Sequence, residues 1–431
     1  SMPTYSWVWE KEQVTPPAAS VEISRSKNIS EEKLAAAAGN VTQANGPNRN
    51  GTWENPTFST DWNNTPPELI WRRPIGGGWS GFSVVDGRAY THEQDGDTEC
   101  VSCLDLFTGE TLWQHRDEGV RLLLAKPDAT MGGDGPRSTP TFHNGRVYAL
   151  GATGIINCLK AENGNLIWSR NIIEDFGGEW QDWGQANSPL VIPEHEILVV
   201  PGSKVGGVSL AAFRLDDGET AWTYEGSGAT YSSPRIVEMD GVSILLSINA
   251  KNVTGHEPET GEVLWEYDWV SNYPRSGQPQ RVGDQQLLFT GSYGMGSPLV
   301  EVTRSGDTWA VEEIWKSNRL KTKFSTAVIH ENLAVGLDEG RIAAIDLEDG
   351  SIVWKGEKYG FGQNLKFGNY LLVQVEKGPV AIGRITSEGF EETGRIEDAL
   401  SSMTWNPPTV AGRFLLVRND KEAVCYLLPA L

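Results

Sequence analysis

The stretch GIINCLKAENGNLIW, residues 154–168, is a unit that this chain repeats. It has a small residue, Cys158, six positions before Gly164, a turn-forming Asn163 directly before that glycine, and Trp168 four positions after it. An Asn-Gly pair between two apolar runs supplies the positive φ of a tight turn, so the unit predicts a β-hairpin. The same spacing returns in four further segments: Cys103–Trp113, Ala212–Trp222, Gly255–Trp265 and Ala344–Trp354.

Two more strands are predicted ahead of each hairpin. In STPTFHNGRVYAL, from Ser138, a small residue and a proline lead into one apolar strand, and a short loop leads into the next. Related segments begin at seven other positions: Ser80, Asn187, Ser232, Gly277, Ser325, Gly362 and Trp405. Four short strands in each period of roughly 40 to 50 residues are typical of a propeller blade. The sequence therefore predicts an all-β, eight-bladed β-propeller of four-stranded antiparallel blades.

The closure of the ring is predicted from the strand that is missing at the end. The last unit, from Trp405, ends at AVCYLL with no room for a fourth strand, whereas ELIWRRPI, residues 68–75, has no hairpin partner and carries Trp71. We expect this N-terminal strand to complete the last blade and to cover its sheet edge. The predicted domains are an N-terminal extension, residues 1–45, and the propeller, residues 46–431. The extension is partly irregular, with a short helix over residues 31–38 that Asn28 initiates in capping-box spacing.

Charge and hydropathy exclude two classes of partner. The 36 basic and 57 acidic residues give a net charge of −21, which repels nucleic acid and anionic membranes. No apolar run approaches the ~18–20 residues of a membrane span. No basic leader with an apolar core is found at the N-terminus, and we expect any signal peptide to have been removed before Ser1.

The four cysteines are predicted to be buried thiols. Cys100 and Cys103 have the C-x-x-C spacing of redox motifs and zinc sites, but Cys103 and Cys158 occupy the same repeat position as Ala212. Cysteine behaves as a small hydrophobic residue at such positions. A bond between Cys100 and Cys103 is not expected, because residues at odd spacing in a strand point to opposite faces.

The repeat resembles the quinoprotein-type propeller repeat, whose pattern Ala-x-Asp-x-x-Thr-Gly-x-x-x-Trp is called the tryptophan-docking motif. Cys103–Trp113 and Ala344–Trp354 follow it closely, and the other copies depart at the Asp position, which holds Lys160, Arg214 or Glu257. The resemblance covers residues 68–428 and is specific for the fold. The family that carries this repeat includes quinone-dependent dehydrogenases, an outer-membrane assembly lipoprotein that acts as a scaffold, and secreted bacterial propellers. The segments GDGPRSTPTFHNGRVYALGATG and NGPNRNG are most similar to the last group, which implies a bacterial periplasmic or extracellular location.

The mouth of the ring is the predicted ligand site. Three long insertions, 114–134, 169–185 and 266–276, fall on the face where one blade connects to the next, and a pocket there is the default hypothesis. Aligning the eight inner strands gives one equivalent residue from each: Trp79, Arg137, Ala186, Tyr231, Ser276, Phe324, Phe361 and Thr404. The predicted ligand-binding residues are Trp79, Arg137, Trp183, Gln185, Asn187, Tyr231, Gln278, Lys323, Phe324, Gln363, Trp405 and Asn406.

These side chains suit a polyol, a sugar or an acidic carbohydrate, because aromatic rings cover the apolar side of a sugar and amides bond its hydroxyls. Equally, they would serve as channel-filling residues whose polar groups are satisfied by water. Arg137 and Lys323 are favoured as functional, since a buried cation without a partner is costly.

The favoured function is that of an exported scaffold, predicted to be a monomer, that binds a small-molecule or carbohydrate ligand or a protein partner. A carbohydrate lyase or hydrolase is an alternative, and it would need an acid and a base from Asp182, Glu179 and Tyr231. A quinone-dependent dehydrogenase is another, for which the resemblance implies a calcium ion, a catalytic Asp and usually a disulfide between adjacent cysteines. The chain has no Cys-Cys pair, and of these features the predicted rim supplies Trp183, Asn187 and the neighbouring Asp182. No PQQ, calcium or other metal is therefore expected, and no catalytic residue is assigned.

Overall fold

The computed structural model describes residues 21–26, 29–125 and 133–431. These residues form eight separate sheets, each with four antiparallel strands that follow one another in space as they do in sequence, apart from the sheet that closes the ring. The prediction of an eight-bladed β-propeller is confirmed.

The strands of each blade are given innermost first. Blade 1 contains Ser83–Val85, Arg88–Asp95, Thr98–Asp105 and Thr111–Glu118, and blade 2 contains Thr141–His143, Arg146–Leu150, Ile155–Lys160 and Leu166–Asn171. Blade 3 contains Leu190–Ile192, Ile197–Pro201, Leu210–Arg214 and Thr220–Tyr224, and blade 4 contains Arg235–Met239, Val242–Ile248, Asn252–His256 and Val263–Asp268. Blade 5 contains Gln280–Val282, Gln286–Leu288, Ser297–Ser305 and Thr308–Ser317, and blade 6 contains Val328–His330, Leu333–Asp338, Arg341–Asp346 and Ile352–Lys358. Blade 7 contains Gln363–Phe367, Tyr370–Gln374, Val380–Ile385 and Phe390–Ile396. Two short helices, Leu122–Ala125 and Ile172–Phe176, and a 3₁₀ turn, Pro193–His195, lie between these strands, and a third helix, Glu31–Ala37, precedes them.

Blade 8 closes the ring as the sequence predicts. It contains Thr409–Ala411, Phe414–Arg418, Glu422–Leu427 and, as its fourth strand, Glu68–Pro74. Trp71 lies opposite Cys425 in this sheet. A short strand, Ser24–Arg25, pairs with the outer side of Glu68–Pro74 and covers that edge.

In the five hairpins that carry the repeated glycine–tryptophan spacing, the glycine also receives a tryptophan of the preceding blade. The ring of Trp71 packs on Gly109, and its Nε1 donates to the Leu106 carbonyl at 2.8 Å. Trp113 packs on Gly164 in the same way, so each docking tryptophan ties two blades together. The same contact recurs at three more interfaces: Trp168 on Gly218, Trp222 on Gly261 and Trp315 on Gly350.

Replacing Gly164 with alanine is expected to lower the free energy of unfolding by roughly 2 kcal/mol or more. Gly164 has φ of 77°, which costs other residues about 1–2 kcal/mol, and a Cβ atom there would overlap the indole of Trp113. Urea unfolding measures the loss. Gly145→Ala is the matched control, because Gly145 has φ of 73° but no neighbouring atom within 4 Å of a Cβ. Equal losses in the two variants would show that the docked ring is not the cause.

Blade 7 lacks the motif tryptophan and receives one from the N-terminal region. Gly394 lies opposite Ile382, in the pairing that Trp168 and Cys158 make in blade 2. The side chain of Trp62 packs directly against Gly394 and is only 3% exposed. The missing side chain is therefore replaced from a distant part of the sequence.

Residues 41–53, which we call the axial segment, cross the centre of the ring. Its main-chain and side-chain contacts run from blade to blade: Val41 with blade 1, Thr42 with blade 2, Arg49 with blade 3, Asn50 with blade 5, and Thr52–Trp53 in parallel with the inner strand of blade 7. The segment spans the predicted boundary at residue 45.

Two smaller predictions concern the helix and the cysteines. The helix over residues 31–38 is present as Glu31–Ala37, and Ser30 caps it by accepting a hydrogen bond from the Lys33 N–H at 3.2 Å. The predicted cap, Asn28, lies outside the described residues. All four cysteines are buried free thiols, as predicted.

Candidate functional site

A cavity of about 160 Å³ occupies the mouth of the ring, and we call it the axial cup. Its wall is built from two tiers of residues that lie just before, or at the start of, the inner strands. The upper tier comprises Trp79, Arg137, Ala186, Tyr231, Ser276, Phe324 and Trp405, and the lower tier comprises Thr139, Ser188, Ser233, Gln278, Thr326, Gln363 and Pro407. The tiers are two residues apart along each strand, so both face the axis. Ala44 and Asn45 of the axial segment and Trp183 and Pro274 from the inter-blade loops complete the lining.

The alignment of the eighth inner strand was wrong by one residue. The hydroxyl of Thr409 donates to a carbonyl of blade 1 at 2.8 Å, as Thr141 donates to a carbonyl of blade 3 at 2.6 Å. Counting back four residues from each gives Trp405 and Arg137, so Trp405, and not Thr404, faces the axis. Thr404 is fully buried behind the cup, and its N–H donates to the Glu376 carbonyl.

Aromatic rings form two opposite sides of the cup. Trp79 and Trp405 stack with centroids 4.6 Å apart, and Phe324 lies 4.7 Å from Trp405. On the other side, Trp183 stacks on Tyr231 at 5.5 Å. The Trp405 orientation is fixed, because its Nε1 donates to Glu376 Oε1 at 2.8 Å. The cup thus presents flat apolar faces with polar groups between them.

Arg137 and Tyr231 are the ionisable groups of the described lining. The guanidinium of Arg137 donates to the Gly133 carbonyl at 2.6 Å and to that of Gly135. Burial lowers the pKa of Arg137 to about 10, against the opposing charges of Asp134, Tyr231 and Glu99, so it stays protonated at neutral pH. Burial raises the pKa of Tyr231, whose hydroxyl accepts from the Trp183 N–H at 3.1 Å.

The predicted site residues divide into three groups. Eight of them line the cup: Trp79, Arg137, Trp183, Tyr231, Gln278, Phe324, Gln363 and Trp405. Lys323 lies beside it, with its ammonium 4.3 Å from the ring of Phe361 and 5.3 Å from those of Phe324 and Tyr293.

The remaining three, Gln185, Asn187 and Asn406, are fully buried and point away from the cup. Their amides donate to main-chain carbonyls, each at 2.8 Å: Asn187 to Thr230 and Asn406 to Ser80 of the next blade, and Gln185 to Gly202 within blade 3. The two asparagines hold neighbouring blades together, and Gln185 holds the start of blade 3 to its second strand.

Sequence reasoning missed the floor of the cup. Ala44 and Asn45 lie in a segment without repeat periodicity, and its only local signal is the turn-rich NGPNRNG. Asn45 adopts φ of 60°, consistent with such a turn. That signal predicts a turn but not its position across the axis.

The acid and base of a hydrolase are not brought together here. Among the described residues that line the cup none carries a carboxylate, and Glu179 and Asp182 lie outside the lining. Asp182 pairs with Lys204 at 2.7 Å.

A separate cluster of ionisable residues is buried between blades 1 and 2. Glu99 is 1% exposed, its Oε2 accepts from the Ala152 N–H at 3.1 Å, and its Oε1 lies 3.6 Å from His92 Nε2. His115 contacts Asp117 at 3.2 Å nearby. Burial raises the pKa of Glu99 to about 8 and lowers that of His92 to about 3, so both are largely neutral at pH 7.

Comparison of the sequence with known protein families gives a match that covers most of the repeats. The family described as outer membrane protein assembly factor BamB matches residues 97–356, more than half of the chain. The chain belongs to this PQQ-like β-propeller family. BamB of Shewanella oneidensis is 22% identical over 238 residues, which are 53% of this chain and 58% of that relative. The match thus spans little more than half of the relative's length.

Solved structures of low sequence identity share the fold. BamB from Moraxella catarrhalis superposes with a TM-score of 0.62 at 13% identity, covering 84% of this chain and all of that one. Quinohemoprotein alcohol dehydrogenase from Comamonas testosteroni gives 0.66 at 11% identity, covering 94% and 83%. A europium-containing methanol dehydrogenase gives 0.66 at 12% identity, covering 90% and 98%.

The resemblance to quinone-dependent dehydrogenases implies a bound quinone and a calcium ion, and the described residues of the cup do not fit either group. The cup of about 160 Å³ is smaller than the roughly 300–1,000 Å³ of pockets that bury larger organic ligands. Its described lining offers no carboxylate to a hard cation. In the part of the chain that the structure describes, no group of three or more His, Cys, Asp or Glu residues is placed to hold a metal ion. Within the same residues, no helix has the length and apolar character needed to cross a membrane.

Proposed function

We propose that this protein is a binding scaffold of the bacterial cell envelope, periplasmic or extracellular, and that its axial cup binds a small sugar or sugar acid. The family membership supports the scaffold role, because BamB relatives are described as outer membrane protein assembly factors. The cup carries the ligand proposal: stacked aromatic faces on two sides, amides and hydroxyls between them, and a floor formed by the axial segment.

Size and charge narrow the ligand class. A cup of about 160 Å³ accommodates one or a few small rings, and its flat tryptophan faces suit the apolar face of a pyranose. Arg137 in the lining and Lys323 beside it are cations in a protein of net charge −21. They favour a ligand with a carboxylate, such as a uronic acid, over a neutral hexose. The lack of a carboxylate in the described lining supports binding over hydrolysis.

Trp405→Ala is expected to weaken sugar binding about tenfold or more, because a stacked aromatic contact contributes about 0.5–1.5 kcal/mol beyond its buried area. Titration of the purified protein with galacturonate and galactose, followed by tryptophan fluorescence and calorimetry, measures the affinity. Trp309→Ala is the control, since Trp309 lies on the outer hairpin of blade 5.

Lys323→Gln is expected to weaken galacturonate binding and to leave galactose binding unchanged, because only galacturonate has a carboxylate to pair with the ammonium group. If neither sugar binds saturably, or if Trp405→Ala binds as the wild type does, the cup is not a sugar site.

A further inference from the structure

A second cavity lies on the opposite side of the axial segment from the cup. Its volume is about 470 Å³, and it is bounded by Asn48 and Asn50 of the axial segment and by the inner strands of blades 4 and 5. It shares no lining residue with the cup. Two arginines, Arg235 from blade 4 and Arg281 from blade 5, line it.

Each of the two guanidinium groups has a nitrogen that makes no hydrogen bond within the described residues. Arg235 is 5% exposed, its Nε donates to the Asn48 carbonyl at 3.0 Å, and its Nη1 donates to Gln280 Oε1 at 3.0 Å. Its Nη2 has no hydrogen-bond partner within residues 21–26, 29–125 and 133–431. Arg281 donates from Nη2 to Asp284 at 2.7 Å, while its buried Nε has no partner in the same ranges.

A third arginine adds to the positive charge. Arg49, in the axial segment next to Asn48, is 2% exposed and donates to the Pro189 carbonyl at 2.8 Å. Burial and the charge of Arg235 lower the pKa of Arg49 to about 9, and burial and the charge of Arg281 lower the pKa of Arg235 to about 10. The buried guanidinium of Arg235 is therefore repelled by two others, those of Arg49 and Arg281.

Neighbouring groups compensate this charge only in part. The partners of Arg49 and Arg235 are carbonyl and amide oxygens, which accept hydrogen bonds but carry no net charge. The carboxylates that line the cavity are Glu238 and Asp284, and the Asp284 side chain is 89% exposed. A buried cation is costly unless an opposite charge accompanies it.

We propose that this cavity binds a small oxyanion, phosphate or sulfate, between Arg235 and Arg281. Guanidinium groups donate in parallel to two oxygens of such an anion, and charge-assisted bonds of this kind are stronger than neutral ones. The anion would also offset the repulsion of Arg235 by Arg49 and Arg281. This site is independent of the sugar proposal, because it lies across the axial segment from the cup.

The test is thermal unfolding and calorimetric titration of the full chain with inorganic phosphate and with sulfate, against chloride at constant ionic strength. We expect a saturable rise in Tm with either oxyanion, as for any ligand that binds only the folded state. Arg281→Gln is expected to weaken phosphate binding about tenfold or more, because the substitution removes a charge-assisted hydrogen bond to the anion. Circular dichroism checks that this variant, whose side chain is 36% exposed, is folded.

Arg304→Gln is the matched control. Arg304 is also in blade 5, is 37% exposed and pairs with an aspartate three residues ahead, yet it does not line the cavity. Glycerol phosphate distinguishes the source of the anion: binding equal to that of phosphate supports a phosphomonoester, and weaker binding supports the free ion. If phosphate and sulfate stabilise the protein no more than chloride does, or if both variants lose the same affinity, the proposal is wrong.

Discussion

Trp71→Ala is expected to lower the free energy of unfolding by about 3–5 kcal/mol, the usual cost of truncating a fully buried tryptophan. Trp71 is 0% exposed and lies in the strand that closes blade 8. It also packs on Gly109 of blade 1, so the substitution removes contacts on both sides of the closure. Urea unfolding followed by circular dichroism measures the loss.

Trp309→Ala serves as the control for this prediction, because Trp309 is a half-buried residue of the outer hairpin of blade 5. A second comparison isolates the indole hydrogen bond. Trp71→Phe loses the bond from Nε1 to the Leu106 carbonyl, whereas Trp265→Phe loses no such bond, since Trp265 Nε1 has no partner among the described residues. If Trp71→Ala and Trp309→Ala are equally stable, the N-terminal strand does not close the ring in solution.

Glu99→Gln is expected to raise the stability at alkaline pH by roughly 5 kcal/mol relative to the wild type. Burial raises the pKa of Glu99 from 4.5 to about 8, so the folded protein binds a proton that the unfolded chain releases between these values. Wild-type stability therefore falls as pH rises from 4.5 to 8, by about 1.4 kcal/mol for each unit of pKa shift. Glutamine keeps the shape without the ionisation and removes this loss.

His92 has the opposite effect over part of this range. Its pKa is lowered from 6.5 to about 3, so its contribution to stability rises with pH between these values and offsets that of Glu99 from pH 4.5 to 6.5. The wild type is thus expected to lose stability mainly between pH 6.5 and 8, and Glu99→Gln to lose none there. Urea unfolding at pH 5, 6.5, 8 and 9 tests this, with the exposed Glu110→Gln as a control for the loss of one charge. A difference between wild type and Glu99→Gln that does not change with pH would contradict it.

The architecture could be predicted because its main determinants are local and repeated. Gly164 and Trp168 mark a hairpin wherever their spacing recurs, and period-two alternation then assigns each residue to one of two sheet faces. The unpaired strand around Trp71 predicts the closure by strand counting alone. Seven of the twelve predicted site residues line the cup for the same reason, since equivalent positions in equivalent strands meet at one axis, and an eighth, Trp183, reaches the cup from an inter-blade loop.

Other features follow from long-range packing that no local pattern encodes. The position of Trp62 on Gly394 and the path of the axial segment depend on contacts between residues far apart in sequence. The error at Thr404 has a related cause, because a shift of one residue in an irregular lead-in moves a side chain to the opposite face. Likewise, an amide such as Asn187 could face the cup or a neighbouring carbonyl, and only the spacing between blades decides which.

The amino-acid sequence by itself determined the number of blades, the positions of their hairpins and the strand that closes the ring, because short-range turn geometry and strand alternation fix these features. The tertiary structure decided which polar residues face the axis, how the axial segment divides the channel into a cup and an arginine-lined cavity, and which carboxylate is buried. Those properties depend on burial and charge among residues that the fold brings together from different blades.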